Sequence, residues 1–385
     1  MRIIKFKKFL LEGGNVRLKS GESAQKIPLE NVDRKEVQTL VKSALVAFNN
    51  QYEKQMGKPL WKNVEDLIKR ELIFSGSTRS FFANYISDKD FMASKKFVGD
   101  IDLMFPEEYV ADVKKFLDAN IGKMFGQLRY VDEGGNSITQ WNTLFEMPKE
   151  YWDRIRFVQI DFEPVPFKKE KEEPTEPTEF SIFAHYSSWK DITEGIKGVF
   201  IKFLYRSLFS NLQKLSNYVV VTNKGKVSTS KEFAKDVGLY KFSVDKGVRI
   251  GYEPIYEDGV QKQIDGKLAF RQIDPKDSTY EQSLKTIYTM AFKKEPTDED
   301  IKDMHSFVGS LKMLKDVDLN MDVIYMDFIN LLWGSGAQGL ERDNPKIDFE
   351  NKKAARDRFV AEFPELKKHD NDIQNMIETF YQNYK

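Results

Sequence analysis

The chain has 385 residues, 41% of them hydrophobic and 13% aromatic, with 60 basic and 60 acidic side chains. That length exceeds one ordinary core and predicts two or three domains, while a formal net charge of zero gives no global field for capturing nucleic acid. Cysteine is absent and histidine occurs only at His185, His305 and His369, which excludes disulfides, thiolate chemistry and cysteine-based zinc sites and argues against a multi-histidine metal site.

No apolar run is long enough to span a bilayer. The basic, briefly apolar start MRIIKFKKFLLEGGNV lacks the longer apolar stretch and cleavage site of a signal peptide. A soluble, cytoplasmic protein with no membrane partner is expected. In chain order, residues 1–35 hold a short strand and then the turn-rich loop EGGNVRLKSGES. Residues 34–56 read as a helix, because Val37, Leu40, Val41, Ala44, Leu45 and Phe48 recur at helical spacing. The amphipathic piece LWKNVEDLIKREL follows, and then IFSGSTRSFF, a brief strand running into a small-residue turn. FVGDIDLMFP (97–106) reads as a strand, residues 106–125 as a helix opened by Pro106, and DRIRFVQIDFEPVPF (153–167) as a strand ended by prolines. KKEKEEPTEPTE (168–179) reads as a charged, Pro-containing loop or linker. Residues 187–215 predict one long helix with Ser188 at its N-cap. A hairpin is expected over 217–228, and short strands with glycine turns over 240–273. From about 277 onward the pattern is helical, interrupted by the connecting loop WGSGAQGLERDNP (333–345).

The chemistry concentrates in FVGDIDLMFP. Side chains two apart on a strand share a face, so Asp100 and Asp102 point the same way. Two carboxylates on one face repel unless they are protonated or bridged by cations, and a pair of Mg²⁺ ions would be held by such acids. Asp161, in the second strand VQIDF, supplies a third carboxylate if the two strands are neighbours. The rival reading is an edge strand with its acids in water and Asp161 paired to Arg154 or Arg156. Upstream, the turn at Gly76, set among Ser75, Ser77 and Thr78, lets backbone N–H groups and hydroxyls approach phosphate oxygens. Arg79 could add charge there. On the 187–215 helix, Lys202 and Arg206 lie four apart, off the apolar stripe; they are either a solvated face or triphosphate contacts. His185 is either an ordinary loop residue or one that touches substrate. SVDKGVRIGYEP (243–254) is either a packed hairpin or a basic, Tyr252-bearing contact for nucleic acid.

A strand ending in Gly76-Ser77, then GDIDLMF on the next strand, then VQIDF on a third, resembles the signature of the polymerase-β-like nucleotidyltransferase superfamily. The resemblance covers roughly residues 70–165, and GIKGVFIKFLYRSL looks like a stretch of uncharacterised tailed-phage nucleotidyltransferases. Residues 78–99 form a longer gap than the family's usual one, an insertion between the first helix and the second strand. The resemblance implies a template-independent, metal-dependent transfer of a nucleotidyl group from an NTP to an acceptor hydroxyl, with pyrophosphate leaving. It implies that Asp100 and Asp102 ligate two Mg²⁺ ions, for which Mn²⁺ can substitute. Asp161 would ligate the metal near the acceptor, and Gly76 and Ser77 would cradle the β- and γ-phosphates. The favoured acceptor is an RNA 3′ end, with a small molecule, a protein side chain or a degenerate NTP-binding domain as alternatives. The location would be the host cytoplasm for a phage-encoded chain. The expected fold is α+β: an N-terminal helical segment (1–60), a small mixed-sheet nucleotidyltransferase core (61–167), the charged loop (168–179), an α/β substrate-binding region (180–295) and a helical C-terminal region (296–385).

Overall fold

The computed structural model describes residues 16–18, 20–95, 97–137, 140–215, 218–222, 227–229, 237–274, 276–334 and 345–382. The strand expected ahead of Glu12 and most of the 333–345 loop lie outside them. The fold is α+β, and its contacts divide into two compact units, Met1–Thr193 and Glu194–Lys385. The expected segments 1–60, 61–167 and 168–179 fall within the first unit, and the 180–295 region straddles the division.

In the first unit a two-residue strand, β1 (Ile27–Pro28), precedes helix α1 (Arg34–Met56). Asp33 caps α1 by accepting from the Lys35 and Glu36 amides, and Gly57 ends it in the left-handed region (φ 77°). Both ends match the expectation, because cap, stripe and glycine agree. Then come α2 (Val64–Lys69), α3 (Gly76–Phe82), α4 (Asp88–Ser94), β2 (Phe97–Val98), β3 (Ile101–Pro106) and α5 (Val110–Asp118). The 106–125 helix is shorter than expected. Pro106 ends β3, and the chain turns after α5 at Gly122 (φ 84°). The residues beyond that turn form β4 (Met124–Phe125), followed by β5 (Leu128–Ser137), β6 (Gln140–Glu146) and β7 (Phe157–Val165).

These strands form one mixed sheet in the order β3-β7-β6-β5-β4. Only β3 and β7 run parallel, and α5 with the β4–β6 meander supplies the crossover that parallel neighbours need. Ile73–Ser75 line the outer edge of β3: Met104 N–H donates to Ile73 O at 2.8 Å and Ser75 N–H to Asp102 O at 3.0 Å. One face of the sheet is apolar. Phe162 of β7 stacks on Phe48 of α1 at 5.2 Å and on Trp61 at 6.3 Å, and Phe116 meets Phe48 edge-on at 4.9 Å. Each buried aromatic of this kind contributes about 1.5–3 kcal/mol. Trp61 Nε1–H donates to Met104 O at 2.8 Å and ties the α1–α2 connection to β3.

The segment read as a charged loop is instead a two-stranded ribbon, β8 (Phe167–Glu170) with β9 (Glu173–Pro177). Its charges pair across the ribbon, as Lys168 with Glu176 at 3.0 Å, and prolines are tolerated where a strand lies at an edge. Two short helices follow, α6 (Glu179–Ala184) and α7 (Trp189–Thr193). The single 187–215 helix is not formed. α7 stops, Gly195 takes a left-handed φ of 75°, and a new helix, α8 (Val199–Asn211), begins after Gly198.

The second unit opens with α8. Strands 218–221 and 227–229 form the expected hairpin, whose turn lies outside the described residues. They join 267–272 and 252–254 in a second mixed sheet. Short ribbons pair 214–215 with 237–238, 240–243 with 247–250 and 256–257 with 260–261, in line with the short strands expected over 240–273. From residue 284 onward the described elements are helical: α9 (Leu284–Phe292), α10 (Asp298–Met304), α11 (Phe307–Leu314), α12 (Met321–Trp333), α13 (Pro345–Glu362) and α14 (Asp370–Gln382). Among the described residues no helix is long and apolar enough to cross a membrane.

Candidate metal centre

The parallel register pairs Asp102 of β3 directly with Asp161 of β7, and paired residues of neighbouring strands project to the same side. Asp100 precedes β3 by one residue. One carboxylate oxygen from each of the three lies within 4.8 Å of the others. The convergence expected from sequence is therefore met: β3 does stand at the edge of the sheet, but its acids gather with buried Asp161 and do not stand apart in water. Asp161 is only 1% exposed, and both its oxygens accept from Gln159 Nε2, at 3.0 and 2.8 Å. Arg154 turns to the Asn31 and Glu150 carbonyls, and Arg156 pairs with Glu146 and Glu22.

Electrostatically the trio is uncomfortable without a cation. Burial raises the Asp102 carboxyl well above the usual range, and repulsion from Asp100, Glu163 and Asp161 raises it further. Burial and then Asp100 do the same to Asp161, against the lowering effect of the Gln159 hydrogen bond. Asp100 is raised, chiefly by burial, with Lys95 and Lys26 pulling the other way. A cation would relieve both burial and repulsion. The donor set is all carboxylate oxygen, which suits a hard ion such as Mg²⁺ or Mn²⁺ rather than a thiophilic one. The residues present fit the expected ions.

The small-residue turn abuts this cluster. Gly76 opens α3 with φ 53°, and a Cβ built on it would meet Asp102 Oδ2 at 3.2 Å. Only glycine lets the backbone come this close in a left-handed conformation. Ser77 follows, half-exposed, and Thr78 binds β3 by accepting from the Asp102 N–H at 2.9 Å. Arg79 stacks its guanidinium on Tyr186 at 4.9 Å. Lys202 and Arg206 belong to α8 in the second unit, half-exposed and exposed respectively. Tyr252 is 5% exposed and packs with Tyr218, Val220 and Phe270. The 243–254 segment is thus a packed strand region whose tyrosine is not open to bases.

Several neighbours of the trio were missed from sequence. Asn142 is the cross-strand partner of Asp161 in β6. Glu163 lies two residues beyond Asp161 on the same face, a position that strand alternation alone could have found. The lysines facing Asp100 come from Lys95, in the 78–99 insertion, and from Lys26 beside β1, which pairs with β2. No known family model matches the chain, and no curated protein matches it in sequence.

Proposed function

We propose that the protein is a Mg²⁺-dependent, template-independent nucleotidyltransferase that moves a nucleotidyl group from an NTP to an acceptor hydroxyl with release of pyrophosphate. The observation that carries this reading is the convergence of Asp100, Asp102 and Asp161 beside a left-handed glycine turn, where a Cβ would stand only 3.2 Å from Asp102 Oδ2. Asp100 and Asp102 would hold two Mg²⁺ ions, and Asp161 would share the one on the acceptor side. Bound there, the ions supply charge neutralisation for the triphosphate and a lowered pKa for the attacking hydroxyl. Asp161, fixed by Gln159, orients the acceptor side of the site. Ser77 would donate its hydroxyl to a phosphate oxygen, and Gly76 would let that phosphate approach the turn. Arg79, held over Tyr186, adds positive charge on the same helix. The favoured acceptor is an RNA 3′ end, because about half of the chain, residues 194–385, follows the proposed catalytic core in sequence and is available to hold a large acceptor.

The test is incubation with each α-labelled NTP and Mg²⁺ in the presence of RNA, protein and small-molecule pools. Label moving to RNA, abolished by chelation and accompanied by pyrophosphate, supports the proposal. Label on protein or on a small molecule redirects the acceptor. No transfer with any base or pool overturns the enzymatic reading.

A further inference from the structure

Glu163 and His185 lie outside the acidic trio, yet both reach the turn that faces it. Ser75 Oγ–H donates to Glu163 Oε2 at 2.6 Å, and His185 Nδ1 approaches the same oxygen at 3.1 Å. A carboxylate accepts only, so the contact is satisfied by the tautomer with the proton on Nδ1. The main chain of His185 holds the turn as well: Gly76 N–H donates to His185 O at 2.5 Å, and Gly76 pairs with Tyr186 in a parallel bridge. On its other side Ser75 N–H donates to Asp102 O at 3.0 Å. The turn is thus fastened to β3 through Ser75 and to β7 through Glu163, the two strands that carry the acids. Ser75 occupies the N-cap position of α3 but makes no side-chain cap bond; its hydroxyl serves Glu163 instead. Serine at an N-cap ordinarily accepts from the first helical turn, so this hydroxyl has been diverted from a local bond to a tertiary one.

We infer that Glu163 and His185 are a positioning pair that fixes the Ser75–Gly76 turn against Asp102 and so sets the affinity for the triphosphate of the nucleotide. The inference rests on the proposed nucleotidyltransferase reading and deepens it. The spacing is demanding, because a Cβ on Gly76 would already stand 3.2 Å from Asp102 Oδ2. A shift of a few tenths of an ångström therefore changes where the turn stands relative to the acids, and with it how a phosphate would be met by the turn. Neither residue touches the reacting atoms in this account; each acts through Ser75.

The experiment compares wild type, His185→Ala, His185→Asn and Ser75→Ala. In each protein the dissociation constant of a nonhydrolysable ATP, and of its GTP, CTP and UTP counterparts, is measured with Mg²⁺. Amide exchange across residues 74–80 is followed in parallel. Asparagine puts an N–H donor close to where imidazole Nδ1 lies, and the backbone bond to Gly76 survives every change. The expected result is a dissociation constant raised about 10- to 100-fold in His185→Ala and Ser75→Ala, the size of effect that losing one well-placed charge-assisted contact to the triphosphate produces. Exchange in the turn should be faster in both, and His185→Asn should return both readouts to near wild type. Wild type that binds Mg-NTP while His185→Ala binds it equally well overturns the positioning pair alone. Failure of asparagine to rescue also overturns it, since the donor would not be what matters. Wild type that binds none of the four nucleotides overturns the nucleotidyltransferase reading and the inference with it, and the wild-type arm alone reveals that case.

Discussion

Asp102→Asn tests the central claim because a metal centre and a structural acid give opposite signs. The change is nearly isosteric, and the side-chain bond it disturbs, to Thr78 Oγ1 at 3.5 Å, is long and weak. What it removes is one negative charge whose neighbours lie within 4.8 Å. At that separation each fully ionised pair repels by about 3.5 kcal/mol at an effective dielectric constant of about 20. The metal-free protein escapes most of this by binding protons, as the raised Asp102 and Asp161 carboxyls indicate. The residual relief at neutral pH is about 1–2 kcal/mol. For a unit of this size that raises the melting temperature by about 2–8 °C. In wild type, Mg²⁺ and NTP at about a hundred times their dissociation constant add about 2.7 kcal/mol of stability; the variant should lose most of that. Nucleotidyl transfer should fall by about three orders of magnitude, equivalent to about 4 kcal/mol of transition-state stabilisation. The assay is a melting curve with and without Mg²⁺ and each NTP, alongside label transfer. An unchanged or lowered melting temperature in the metal-free variant, with a wild-type response to Mg-NTP, would refute the reasoning.

Gly76→Ala should cost about 1–2 kcal/mol for the left-handed backbone and push Asp102 aside, so activity should fall further than the melting temperature predicts; equal losses would mean that the turn is only structural. Ser77→Ala should leave the melting temperature unchanged and weaken NTP binding by about 1.5–3 kcal/mol, the range of a charge-assisted hydrogen bond, as read by titration calorimetry. Arg34→Lys should lower the urea midpoint by the equivalent of about 3 kcal/mol, because buried Arg34 donates to the carbonyls of Ser80, Phe81, Ala83 and Ile86 and pairs with Asp88, and an ammonium cannot span that set. The trio also sets a pH dependence. Its folded-state carboxyls are raised above the unfolded value of 3.8, so the folded form binds protons more tightly, and stability of the metal-free protein falls as pH rises from about 4 through the raised values. The lowered acids Glu176, Asp300, Asp322 and Glu362 act in the opposite sense at lower pH. The measurement is therefore the difference between wild type and a triple Asp→Asn variant across pH 4–8, and a flat difference would contradict the assignment.

What could be read from sequence follows how local its cause is. α1 was legible because Asp33, the apolar stripe and Gly57 all act within the helix. β7 was legible because Phe157, Val158, Ile160 and Phe162 give it a strongly apolar run, and each of Phe157–Phe162 is buried. β5 and β6 were not identified. Their ladder shifts register between Tyr130 and Asp132 and again between Glu133 and Gly135, which breaks the alternation that marks a strand. The β8–β9 ribbon was hidden by its charges and prolines, whose cross-strand pairing is invisible until the register is known. Asp100, Asp102 and Asp161 could be nominated individually, but their meeting depends on the parallel β3–β7 register, a tertiary fact. Glu163 follows from alternation once Asp161 is placed. His185 could be singled out as a loop residue, but its tie to Glu163 could not be read, since the partner lies in another element and the bond forms only after α6 returns the chain to the turn.

The two faces of the β3–β7 pair explain how so costly a cluster persists. On one face, repulsion and burial favour any motion that separates Asp102 from Asp161. On the other, Phe162 packs against Phe48, Trp61 and Phe105, and Trp61 holds the Met104 carbonyl. Sliding the strands by one residue would turn Phe162 toward the acids and carry Asp161 into the aromatic layer, since a one-residue slip reverses every side chain. Each displaced aromatic forfeits about 1.5–3 kcal/mol, comparable to or larger than the residual repulsion between the carboxylates. The apolar face therefore dictates the register, and the register holds the acids together. With the backbone fixed in this way, the carboxylates can lower their energy only by taking up protons, or a cation if one binds here.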